Sequence, residues 1–163
     1  MDTTPSPDRA SAIGKILANR DALAPFFSAG ADQLARAYAP GKWTMRQLLI
    51  HITDSQTICL DRLRRIAADD KPLLLAFDQD RWVAHLHYER LDLGVSGALF
   101  HATMSAAADL ARNLPPDADA RKGVHSEAGL RTFAAQLDFT WQHVAHHLEQ
   151  VRAAAAGKTW TAK

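Results

Sequence analysis

From Thr44 onward apolar and small residues return at three- and four-residue steps. Leu48, His51, Ile52, Ser55, Cys59, Leu63 and Ile66 form one stripe, and Asp54, Asp61, Arg64 and Arg65 lie opposite. That period is the signature of an amphipathic helix with one face turned to a core. Thr44 and Gln47, three residues apart, make a capping box at its start. The same spacing predicts three more long helices. Ile13, Ile16, Leu17 and Leu23 mark the first, with Ser6 or Asp8 as its cap and Pro25 as its interruption. Leu99, Met104, Ala108 and Leu110 mark another over Val95 to Leu114, closed by Pro115-Pro116. The last is expected from about Glu127 to Ala156, with Leu130, Phe133, Leu137, Val144, His147, Leu148 and Val151 along its buried stripe and Gly157 as its stop.

Between these stripes the pattern is broken. Ala24 to Ala39 reads as a short helical piece and a turn, punctuated by Gly30 and Pro40-Gly41. Ala67 to Leu93 reads as a long connection in which Asp78 caps a short helix containing Trp82, and Asp117 to Ala128 as a polar loop. Four long helices, no period-two run and no fixed repeat predict an all-α four-helix bundle in a single domain, 1–163.

Composition narrows the function classes. Nineteen Lys and Arg against eighteen Asp and Glu leave a formal charge of +1, so no general basic surface exists for nucleic acid or an anionic membrane; the basic stretch Arg62 to Arg65 has an ordinary amphipathic explanation. The apolar runs are too short to span a bilayer, which takes about 20 residues. The opening MDTTPSPDRA lacks the apolar centre of a signal peptide. A single cysteine, Cys59, rules out an intramolecular disulfide and a cysteine-rich zinc site. A soluble, cytoplasmic protein is expected.

The candidate chemistry is in the histidines. His143 and His147 stand four apart on one helix face, where both imidazoles can meet a single ion, and His146 between them faces away. Of the other five, only His51 combines a strong helical stripe with a core-facing position. A buried imidazole left unpaired costs about 1–3 kcal/mol, and a shared metal would satisfy all three rings. Three neutral imidazoles suit zinc, nickel or iron and leave a coordination position open, whereas a structural metal normally takes four protein ligands. Binding of that kind is expected to weaken as pH falls below about 6.5, the ordinary imidazole value. Val144 follows His143, so the glutamate of an HExxH protease is missing. Asp54, Glu149 and Gln150 are candidates for a supporting layer, with a solvated or capping role favoured; Trp43 and Trp141 are expected in packing more than in a pocket wall.

Four segments together, GKWTMRQLLIHITDSQ (Gly41 to Gln56), FDQDRW (Phe77 to Trp82), HSEAGLRTF (His125 to Phe133) and HVAHHLEQV (His143 to Val151), resemble the DinB-like superfamily in order and spacing. The resemblance implies an up-down-down-up bundle with a long crossover between helices 2 and 3, often homodimeric. It also implies a divalent metal, commonly nickel or zinc, on histidines that fall here on His51, His143 and His147. Relatives include enzymes that activate a low-molecular-weight thiol and others regarded as metal-dependent hydrolases. The resemblance therefore implies a small-molecule substrate and either chemistry. A non-catalytic dimeric metal- or ligand-binding module of a stress response is the alternative.

Overall fold

Thr44 opens the longest helix. Its side chain accepts from the Gln47 amide, and the Gln47 side chain accepts in return from the Thr44 amide at 2.9 Å, so the expected capping box is present. The computed structural model describes residues 7–161. Within them lie α1 (Pro7–Leu23), α2 (Ala31–Leu34), α3 (Met45–Ala68), α4 (Gln79–His85), α5 (Leu93–Asn113) and α6 (Phe133–Ala155). Ser6 and the opening five residues fall outside the described range, and Asp8 sits in the first turn of α1, where its charge meets the positive end of the helix dipole.

Contacts between helices fix their directions. Arg9 reaches the carbonyls of Ala111 and Leu114 while Arg20 reaches Ser105, so α1 and α5 are antiparallel. Arg9 lies over the Phe133 ring and Asn19 donates to the Trp141 carbonyl, so α1 and α6 are parallel. Gln56 meets His143 and Cys59 meets Thr140 and Gln136, so α3 runs against α6. The order is up-down-down-up. Because α3 and α5 point the same way, the chain must return along the bundle between them, and residues 69–92, including α4, make that crossover. Helices α1 and α3 each pack on both α5 and α6.

The core fills the space between the four long helices with Ile13, Ile16 and Leu23 of α1, Leu48, Leu49, Ile52, Leu63 and Ile66 of α3, Phe100, Met104 and Ala108 of α5, and Leu137, Val144 and Val151 of α6. Arg9 is buried at one end, where it donates to the carbonyls of Ala111, Leu114, Pro115 and Pro116 and pairs with Asp119 at 2.8 Å. It thereby satisfies carbonyls that the end of α5 would leave without partners. At the end of α6, Gly157 takes φ +66° and the amides of Gly157 and Lys158 bond back to Ala154 and Ala153, the stop expected from sequence.

Two expectations are corrected. The last helix begins at Phe133 rather than near Glu127, because residues 122–132 form a hairpin of β2 (Lys122–His125) and β3 (Gly129–Thr132), joined in parallel by β1 (Leu73–Leu74). His125 Nδ1 accepts from the amides of Glu127 and Ala128, and Gly129 takes φ +73°, which together close the turn. Leu130 is consequently not on the buried stripe but 63% exposed. Strands of two to four residues are too short to show a period of two. The polar loop expected over 117–128 is thus partly strand. Among the described residues no helix is long and apolar enough to cross a membrane.

Candidate metal centre

The antiparallel contact of α3 and α6 puts His51 opposite His143 and His147. Ring centroids are 5.3 Å apart for His51–His143, 4.9 Å for His51–His147 and 4.5 Å for His143–His147. One nitrogen from each ring lies within 4.8 Å of the other two. The i, i+4 spacing supplies the second pair, and packing of two helices supplies the third ring.

Burial sets the protonation state. His51 is fully buried between Trp43, 4.8 Å away, and Phe77, 6.3 Å away, and its pKa falls to about 3, through burial first and then the nearby His147. Burial also takes His147 to about 4. The partly exposed His143 is held well below the ordinary imidazole value by burial and by the three neighbouring histidines. All three rings are neutral at pH 7, and each has a nitrogen lone pair. His51 Nε2 lies 3.4 Å from Ser55 Oγ, while its buried Nδ1 has no hydrogen-bond partner. An orphaned nitrogen among neutral imidazoles fits a cation.

Two glutamines flank the pair on α6. Gln150 Oε1 is 2.7 Å from His147 Nδ1, an arrangement that suits a proton on Nδ1 and a free lone pair on Nε2. The amide of Gln150 extends to His146 Nε2 at 3.2 Å. Gln56 Nε2 is 3.4 Å from His143 Nδ1, and Gln56 Oε1 is buried without a partner. Exchanging the two ends of that amide puts the unpartnered oxygen on a protonated Nδ1, the same arrangement as at His147. Gln150 is buried and bonded, so the solvated role favoured for it from sequence is corrected; Glu149 is exposed, pairing with Arg152 at 3.4 Å.

A cavity of about 350 Å³ opens beside His147, walled by Tyr38, Lys42, Trp43, Asp80, His146 and Gln150 among others. Trp43 and Trp141 both pack against the core as expected; Trp43 also lines this cavity, whereas Trp141 bonds to Asp138 and carries Lys15 over its ring. His146 is exposed, as expected, and stays outside the three-ring cluster. Asp54 is neither solvated nor a cap: it is partly buried and accepts from the Tyr88 hydroxyl at 2.5 Å, a contact 34 residues away that no helical spacing reveals. Burial raises its pKa. His85, His87, His101 and His125 lie outside the cluster.

A family model described as the DinB superfamily matches residues 16–151. The chain belongs to the DinB superfamily. Two Oceanobacillus iheyensis proteins, each named "putative metal-dependent hydrolase", are 28% and 27% identical to it, over 79% and 78% of this chain and 74% and 73% of theirs. YfiT from Bacillus subtilis, described as "a probable metal-dependent hydrolase with an unusual four-helix bundle topology", superposes with a TM-score of 0.84 at 21% identity, over 93% of this chain and 89% of its own. As a DinB superfamily fold, the bundle agrees with the architecture expected from sequence.

Proposed function

We propose that the chain is a metal-dependent enzyme of the hydrolytic kind that holds a divalent ion on His51, His143 and His147. The observation that carries the reading is the convergence of three neutral imidazoles, each offering a nitrogen within 4.8 Å of the other two, with Nδ1 of the buried His51 left without a hydrogen-bond partner. The names given to its relatives point the same way. His51, His143 and His147 would hold the ion, which would supply Lewis-acid activation of a water or thiol. The chain's own residues do the rest. Gln150 holds His147 in one tautomer, and Trp43 and Phe77 keep water from His51. His146, Asp80 and Lys42 supply polar side chains to the cavity wall. The polar wall suits a hydrophilic small molecule.

Zinc and nickel are the ions this all-nitrogen set favours, with iron next. Transfer to a low-molecular-weight thiol is the second reading; the polar cavity beside His147 has room for such a cosubstrate. A homodimer in the cytoplasm completes the proposal. Elemental analysis of untagged protein purified without chelator tests it, comparing wild type with His51→Ala and His147→Ala. Near-stoichiometric metal in wild type, lost in both variants while helical circular dichroism persists, supports the reading. Absence of metal from wild type even after zinc or nickel is added back removes it. Ester and amide hydrolysis, with and without added thiols, then separates the two chemistries.

A further inference from the structure

Arg62, on the outer part of α3, is only 7% exposed. Among the described residues no carboxylate lies within ion-pair distance of it. Nη2 donates to the Leu75 carbonyl at 2.5 Å, and the buried Nε has no partner. Asp61 is nearby but is held by Arg65 at 2.7 Å; Glu127 acts only at longer range, and Arg131 adds repulsion. A guanidinium so placed is costly to bury and is normally matched by an anion. Burial accordingly pulls its pKa down.

Arg62 forms part of the wall of a cavity of about 400 Å³ under the strand that begins the crossover. The wall also carries Asp61 and Arg65, which are paired with each other, and the rest is hydrocarbon, chiefly Ile58, Leu74, Leu75, Phe77 and Trp82. That volume is within the range of small-molecule sites, which pair apolar walls with a few placed polar groups. With Asp61 and Arg65 neutralising each other, the wall keeps one unmatched cation, Arg62, beside apolar side chains, which selects a monoanion with an apolar body over a dianion, and the planar guanidinium suits a carboxylate. Phe77 is shared: it walls this cavity and lies 6.3 Å from the His51 ring.

We propose that this cavity is a binding site for an amphiphilic monocarboxylate, with the carboxylate on Arg62 and the hydrocarbon against Ile58, Leu74, Phe77 and Trp82. The site does not depend on the metal reading. Isothermal titration calorimetry with sodium octanoate and with 1-octanol tests it, on wild type and Arg62→Met, each in chelator and in added zinc. Expected is octanoate binding to wild type at least tenfold tighter than octanol, equal in chelator and in zinc. Arg62→Met should lose at least tenfold for octanoate and leave octanol unchanged. The site is overturned if octanoate does not bind, if it binds no better than octanol, or if Arg62→Met binds it as wild type does. Binding only in zinc also overturns it, because the carboxylate then goes to the histidines. Should Arg62→Met fail to fold, the wild-type contrast of octanoate with octanol decides, together with Arg62→Lys, which keeps the charge and retains a preference for the acid.

Discussion

Gln150 Oε1 stands 2.7 Å from Nδ1 of His147, one helical turn earlier on α6. The contact suits a proton on Nδ1 of His147 and leaves the Nε2 lone pair free for the proposed ion. Removing such an orienting partner typically costs 10- to 100-fold in metal affinity. Gln150→Leu should therefore bind zinc roughly 10- to 100-fold more weakly than wild type, and Gln150→Glu, which still accepts the hydrogen bond, should recover most of the loss. Competition against a chromophoric chelator reads both. Equal affinity in Gln150→Leu and wild type would mean that the hydrogen bond orients nothing.

The three imidazoles are held neutral, so the folded state binds fewer protons than the unfolded chain below pH ~6.5. Their contribution to stability is complete above that pH and drains away as pH falls towards about 4 and about 3, where His147 and His51 take up protons in the folded state. For His51 alone the loss between pH 7 and pH 5 is about 2 kcal/mol. Urea unfolding of metal-free wild type and His51→Leu at both pH values should show the variant losing about 2 kcal/mol less. Coincident losses would show that burial does not hold His51 neutral.

The same shifts move the acid limit of metal binding. An ordinary imidazole releases metal as pH falls below about 6.5. Rings that resist protonation down to about 3 and about 4 compete for the ion to lower pH. Zinc should therefore remain bound at pH 5 and be released nearer pH 4, a lower limit than the ordinary imidazole value sets. Release already complete at pH 6 in equilibrium dialysis would contradict the burial of the site.

Two glycines on long helices should respond with opposite signs to the same change. A Cβ at Gly97 of α5 would lie 2.9 Å from Phe27 Cγ and 3.0 Å from Phe27 Cβ, atoms close to the backbone that cannot swing away. At Gly14 of α1 nothing lies within 4 Å. Gly14→Ala should raise stability by about 1 kcal/mol through helix propensity, whereas Gly97→Ala should lower it by about 1 kcal/mol as the overlap outweighs that gain. Thermal unfolding of both variants checks the pair, and a stabilised Gly97→Ala would mean that Phe27 has room to move.

Arg9 joins the start of α1 to the end of α5 through four carbonyls and Asp119. Arg9→Met keeps the aliphatic stem but strips those carbonyls of their donor. A cost of about 3 kcal/mol is expected in urea unfolding, and a change under 0.5 kcal/mol would show that water replaces the arginine freely.

Much of this protein is written in local spacing. The 3.6-residue stripe of α3, the capping box at Thr44, the Asp78 cap of α4 and the Gly157 stop each depend on residues within one or two turns, so sequence alone determined them. The i, i+4 placement of His143 and His147 is equally local, and the inward face of His51 follows from its stripe. The bundle class follows from four such stripes. Tertiary structure decided what depends on distant partners. The hairpin over 122–132 exists through pairing with Leu73 and Leu74 and through a turn held by His125, not through any period in its own short strands. Asp54 was drawn to Tyr88, Gln56 to His143, and the distance from His51 to the α6 pair was set by how two antiparallel helices pack. Local geometry is encoded in neighbours along the chain, whereas burial, pKa and the identity of a side chain's partner are properties of the assembled core.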